Sequence, residues 1–468
     1  MTSLRSVLLF LVLPACGFAQ SAPASGGPEQ LPPAPSPQLE QKSAQPLAAR
    51  EAPQGVSGST GSQTSLSLKD AQALALRNNP QISVARLTAL ASQQVTREVR
   101  SALWPTASVN LTAVDANQGA RITAGALNNP TVFERAAGGA MVSQLLTDFG
   151  HTNNLISSAS LSAKAENQNA LATKEQILLA VDQAFYNALQ SHAILTVAQQ
   201  TVNDRQTVSN QVDALFKSKL KSGLDLSFAN VNLAQAKLLL LDAQNNENSS
   251  FAALSAVLGY SNLQNFQLVE DTTPNVAPPE NVDELIATAF NVRPEILALE
   301  FQSEAAQKFQ KAERDLLFPD VRALAAVGDT PVRNPIISPN WYGAVGVNVD
   351  IPVFNGFLFP ARSREASLRA QATEERLRDL RNRISRDVRT AWLNAKTAYD
   401  RLAVTQQLLD QANLALNLAQ SRYKLGLGSI VELSQGQLQQ TQAEISNAEA
   451  GYDYRLSLAV LQYQTSGI

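Results

Sequence analysis

The chain is written twice. Residues 73–105 align without a gap on residues 287–319 at an offset of 214, bringing Ala73 onto Ala287, Pro80 onto Pro294, Gln93 onto Gln307, Arg100 onto Arg314 and Pro105 onto Pro319. Further along, the offset falls to 207. Val181-Asp-Gln-Ala-Phe-Tyr-Asn-Ala188 then lies on Val388-Arg-Thr-Ala-Trp-Leu-Asn-Ala395. The change of offset puts about seven extra residues in the first copy between Pro105 and Gly150, and an insertion there reads as a surface loop. A duplicated chain must build two similar units, which removes most single-domain layouts from consideration.

The long parts of each copy carry apolar residues every seven positions. In the second copy these are Val388, Ala395, Leu402, Leu409, Leu416 and Tyr423, and in the first Val181, Ala188, Leu195, Val202, Ser209 and Phe216. A following segment repeats the period with Val431, Leu438, Ile445, Tyr452 and Ala459, matched by Leu224, Val231, Leu238, Asn245 and Ala252. A sustained period of seven predicts helices packed as coiled coils. No proline interrupts residues 150–216, so one helix there would run for roughly 100 Å at ~1.5 Å per residue.

Between the helices the period changes to two. Trp341, Gly343, Val345, Val347, Val349 and Ile351 share one face of a strand, with Tyr342, Ala344, Gly346, Asn348 and Asp350 on the other. Val321, Ala323, Ala325 and Val327 alternate with Arg322 in a partner strand. Val109, Leu111 and Ala113 alternate in the first copy, while residues 140–146 alternate only weakly. An apolar face, a polar face and a terminal aromatic fit a transmembrane β-strand. An amphipathic hairpin on a soluble domain is the plainer reading of the same pattern. Four strands cannot close a barrel, which needs about eight or more, and an open edge in lipid leaves backbone groups unpaired. Strands that span a membrane here must therefore be shared among several chains, with three copies giving twelve.

Charged residues make up only 16% of the 468, the net charge is −3, and there are one cysteine and two histidines. This balance argues against a nucleic-acid surface, and the cysteine count excludes a disulfide framework and disfavours a Cys/His metal site. It also makes an enzyme a poor expectation. Arg5 followed by the apolar run 7–13 reads as an export signal over residues 1–19, too short to span a bilayer. Two processing readings stay open: cleavage after Ala19, or a lipobox-like Leu13-Pro14-Ala15-Cys16 that would carry lipid on Cys16. Residues 20–64 hold repeated prolines and no aromatic residue, the composition of a disordered tether. The body divides into repeats at 65–260 and 281–468, joined by a linker at 261–280.

In this order the features resemble the outer-membrane efflux family typified by TolC. The residues that carry the resemblance are the Asn79-Pro80 and Arg293-Pro294 helix breaks, the Pro105 and Pro319 junctions, and the strand exits Asp148-Phe149-Gly150 and Phe354-Asn355-Gly356. Arg422-Tyr423-Lys424-Leu425-Gly426 followed by Ser429-Ile-Val-Glu-Leu433 completes the set. The resemblance implies a mainly α fold with a small membrane β-part: a homotrimer with a shared 12-stranded transmembrane β-barrel and an α-helical tunnel into the periplasm. It implies a passive exit duct in the outer membrane, no cofactor, and as partners a periplasmic adaptor and an inner-membrane pump or ATPase. At the periplasmic gate it points to Tyr423 and Glu432. Gln435 stands where a second acidic residue is common and Gly428 where a basic one can occur, so the gate network departs from the family pattern. Read locally, these residues cap a helical hairpin, with Gly426 and Gly428 in the turn and Ser429 as N-cap.

The arginines of residues 362–389 read as a solvated helix face balanced by Glu365, Glu374, Glu375, Asp379 and Asp387. His151 and His192 read as packing or surface residues. A trimeric coiled-coil adhesin or spacer is the alternative function. It should keep its helices in one block, whereas here strands interrupt them twice.

Overall fold

The computed structural model describes residues 64–115, 135–264, 266–270, 275–332 and 340–466. The export signal, Cys16 and all but the last residue of the proline-rich tether lie outside them. Each copy begins with a pair of short helices, α1 (Leu68–Asn78) and α2 (Pro80–Ser101), or α5 (Val282–Val292) and α6 (Pro294–Asp315). The break within each pair has a local cause. Asn79 and Arg293 are held extended before proline, because the ring that follows disfavours helical backbone. The Asn79 side chain also accepts from Gln81 N at 2.9 Å, capping α2.

A hairpin of strands follows in each copy, β2 (Thr106–Val114) with β3 (Arg135–Thr147), and β5 (Asp320–Val332) with β6 (Trp341–Asp350). The two hairpins join into one antiparallel sheet in the order β2-β3-β5-β6. The weakly alternating residues 140–146 thus lie within β3, inside the sheet. After each hairpin comes a 67-residue helix, α3 (His151–Lys217) or α7 (Leu358–Lys424), roughly 100 Å long at ~1.5 Å per residue. Asp148 starts α3, its carboxylate accepting from Gly150 N at 3.2 Å and Thr152 N at 2.7 Å. Helices α4 (Gly223–Val257) and α8 (Ile430–Ser466) return alongside. Helix α3 packs on α4 and α8, and α8 on α7, so α4 and α7 end the row. A two-stranded parallel sheet, β1 (Thr64–Leu66) with β4 (Phe266–Leu268), ties the start of the body to the connection between copies.

The duplication is visible in the packing. Ala75 and Ala289, Val181 and Val388, and Ala188 and Ala395 are buried as equivalent pairs. Within the hairpins a second heptad series does the close packing. Ala229, Ala236 and Ala243 of α4 are buried, as are Gly436, Ala443 and Ala450 of α8, 207 positions on. Small residues let the two backbones approach, and a Cβ at Gly436 would lie 3.4 Å from Leu416 Cα. The larger series is not buried within the chain: Leu224, Val231 and Leu238 of α4, with Val431 and Leu438 of α8, are exposed. The arginines of α7 are largely balanced by carboxylates, including Arg369–Glu365, Arg378–Glu375, Arg383–Asp379 and Arg381–Glu300. His151 Nδ1 meets the Ala312 carbonyl at 2.9 Å and His192 pairs with Glu247 at 2.7 Å.

Asp182 is a buried carboxylate in the core of the first repeat. Gln72 donates to it at 2.6 Å, and burial pushes its pKa up to about 6 against the opposing effect of that bond. The folded value exceeds the unfolded one, so the contribution is greatest below about pH 4 and is lost as pH rises through about 6. At ~1.4 kcal/mol per tenfold change in proton affinity, ionisation costs the fold on the order of 3 kcal/mol. Asp182→Asn keeps the acceptor for Gln72. It should raise the melting temperature at pH 7.5 and flatten its change between pH 4 and pH 6.5. An unchanged melting profile would count against this role.

Candidate functional site: the helix tips

The tips of the two long hairpins meet at the end of the molecule far from the sheet. Gly426, at a φ of +74°, ends α7, and Leu427 N returns to the Arg422 carbonyl at 2.8 Å. Ser429 opens α8, accepting from Glu432 N at 3.1 Å, the capping expected of it. On the other hairpin, Ser222 and Asp225 open α4 with a reciprocal capping box.

The structure does not bring Tyr423 and Glu432 together. Glu432 folds back on its own turn and pairs with Arg422 at 3.0 Å. Tyr423 is 8% exposed and packs with Val212, Ala229, Ile430 and Leu433, the cluster that joins the two hairpins. Its hydroxyl is buried without a hydrogen-bond partner, and burial, with Asp225 nearby, raises its pKa. Lys221, from the opposite tip, places its ammonium 4.0 Å from the centre of the Tyr423 ring, a cation–π contact worth about 0.5–1 kcal/mol when exposed. Gln435 is exposed on α8.

A further tie between the hairpins is made by a residue the heptad reading passed over. Arg205 of α3 is 7% exposed and donates to the Gln437 carbonyl at 2.7 Å and Thr441 Oγ1 at 3.0 Å, both on α8. Burial lowers its pKa, while Asp204 and Glu444 oppose that shift. Glu444 is itself raised, by burial first and Asp204 second. Asn232 adds a 2.6 Å bond from α4 to Ser434. Beside these links a cavity of about 630 Å³ opens between the hairpins, lined by Arg205, Lys221, Leu416, Tyr423 and Gln437 among others. The signal for Arg205 was present: its equivalent at the 207 offset is Ala412, a buried residue of the second copy.

The family model described as "Outer membrane efflux protein" matches residues 61–260 and 285–464. The chain belongs to the outer membrane efflux protein family. Its two matched segments correspond to the two copies, and its place is the outer membrane. The outer membrane efflux protein BepC of Brucella suis is 21% identical over 324 residues, covering 67% of this chain and 68% of its own. The pyoverdine export outer membrane protein OpmQ of Pseudomonas aeruginosa is 23% identical, covering 60% and 59%. Among solved structures, CusC superposes with a TM-score of 0.75 at 18% identity, covering 86% of this chain and 92% of that one. VceC from Vibrio cholerae gives 0.72 at 17%, covering 86% and 96%. At these identities the structural likeness establishes the fold.

Proposed function

We propose that three copies of this efflux protein close a twelve-stranded barrel and form the passive exit duct of a tripartite efflux or type I secretion system. The observation that carries this reading is the sheet itself: β2 and β6 are its two outer strands. Each edge left in lipid would cost several kcal/mol per unpaired backbone group, and pairing β6 of one copy with β2 of the next removes both. The two faces suit such a wall. Val109, Leu111, Val327, Val345, Val347 and Val349 are exposed on one side of the register, a surface for lipid. Ser108, Asn110, Ser143, Arg322, Asn348 and Asp350 fall on the other, a surface for water. Exposed aromatics mark the periplasmic ends of the strands: Trp104, the Phe149–Phe318 pair and the Phe354–Phe357 pair. Such girdles flank the apolar band of outer-membrane barrels.

The helices then form the periplasmic tunnel and their tips its gate, where an adaptor and an inner-membrane pump or ATPase would engage. The duct itself does no chemistry. The relatives are named for pyoverdine export and for cation efflux, and a shared passive wall accommodates such unlike cargoes. Purified protein should run as a trimer and conduct in planar bilayers; a monomer that keeps its sheet and passes no current would end the reading. Within the same assay, Arg205 is the expected latch of the tips. Arg205→Met fills similar space but withdraws the donor from the Gln437 carbonyl and Thr441 Oγ1, a loss of about 1–3 kcal/mol that should leave the chain folded. Losing both bonds to α8 should raise conductance severalfold. Tyr423→Phe, which removes a hydroxyl that bonds nothing, should conduct like the wild type. If Arg205→Met conducts no better than Tyr423→Phe, the constriction lies elsewhere.

A further inference from the structure

Tyr342 begins the water-facing series of β6 and is paired directly with Gly328 of β5, which in turn is paired with Gly139 of β3. The ring does not stand up from the sheet. A Cβ built on Gly328 would fall closer than 3.0 Å to both the hydroxyl and the phenolic carbon of Tyr342, and one on Gly139 would fall equally close to the hydroxyl. The side chain therefore lies flat across two neighbouring strands, in a trough that exists because both positions lack a side chain. Gly328 is about 27 Å along β5 from Asp320 at ~3.4 Å per residue. This is the height of the apolar band, about 25 Å, so the trough sits at the end of the sheet away from the helices. Trp341, beside it, faces the lipid side at the same height.

We infer that Tyr342, folded into the Gly139–Gly328 trough, sets the width of the duct at its extracellular mouth. This inference rests on the trimeric-barrel reading above. Three such rings, one per copy, would project into the bore if the trough were filled, and lie along its wall because it is not. The trough also accounts for a small residue on each of the two inner strands: Gly328 and Gly139 are the complement of an aromatic one and two strands away.

Gly139 is the position to test, because a Cβ there meets chiefly the movable end of the phenol, with the Val327 carbonyl next at 3.1 Å. At Gly328 it would also strike the Gly138 carbonyl at 2.7 Å. A reporter thiol at Asn348→Cys lies on the water-facing side, roughly 20 Å deeper than Tyr342 at ~3.4 Å per residue. Intact cells are treated from outside with maleimides carrying polyethylene glycol of graded size, and the chain without the Asn348 substitution sets the background from Cys16. Gly139→Ala should lower the largest size that labels, Tyr342→Ala should raise it, and Tyr342→Phe should leave it unchanged. The double variant Gly139→Ala/Tyr342→Ala should behave like Tyr342→Ala, with trimer recovery confirming that each assembles. Equal cut-offs in Gly139→Ala, Tyr342→Ala and wild type would overturn the inference, as would a double variant that stays narrow. If the smallest maleimide fails to label Asn348→Cys in every variant, the barrel reading itself falls.

Discussion

Val345→Arg is expected to keep the chain out of the outer membrane, while Ala344→Arg, one position earlier, is expected to insert and assemble. Val345 is 88% exposed in the single chain, sits mid-strand opposite Ala325, and faces lipid in the proposed barrel. An arginine at the bilayer midplane of an outer-membrane barrel costs about 2–4 kcal/mol. Three copies place that at roughly 6–12 kcal/mol per trimer. Ala344 faces the water-filled side, where a guanidinium keeps its hydration. Membrane fractionation and the heat-stable trimer band on gels would read the difference. Equal insertion of the two variants would show that the faces have been assigned wrongly.

The second large effect is expected in the tunnel. Val231 and Leu238 lie one heptad apart on the free side of α4, the helix that ends the row, and both are more than half exposed. At the other end, α7 exposes Leu414 and Leu418. A trimer brings these two ends together, and burying one such side chain is worth about 1.5–3 kcal/mol. Val231→Glu with Leu238→Glu removes two of these per chain and puts charges where apolar side chains would meet, a further penalty of several kcal/mol. The double variant should lose the trimer by mass measurement while its helical circular dichroism persists. A trimer of undiminished stability would mean that this face looks onto water.

Much of the fold was legible because the duplication and the two periods are properties of the sequence alone. The heptads of α3 and α7 marked positions that are buried or half-buried, Val181 and Val388 among them, except Phe216 at the tip, which is exposed. On α4 and α8 the large residues caught the eye, yet the seam within each hairpin is made by alanines and glycine. Close backbone approach selects for absence of bulk, and absence of bulk leaves a faint pattern. The same reason blurred the edge of β3 just before residues 140–146, where Gly139 makes room for Tyr342 and Gly138 for Leu111. At the tips the resemblance pointed to Tyr423 and Glu432; the fold packs the first into the cluster that joins the hairpins and pairs the second with Arg422. Arg422 is close by on the same turn and takes the carboxylate first. Arg205 escaped because a charge outside the heptad series looks like a surface residue until its equivalent, Ala412, is set beside it.

The sheet that stops at β2 and β6 has a genetic consequence. A chain that builds only part of the wall cannot compensate for a faulty neighbour within the same ring. In a cell making equal amounts of normal and altered chains, random assembly of the proposed trimer leaves about one ring in eight wholly normal. Variants that assemble but obstruct the bore, Gly139→Ala among them, should therefore behave as dominant. Variants that cannot join the ring, such as Val345→Arg, should be recessive.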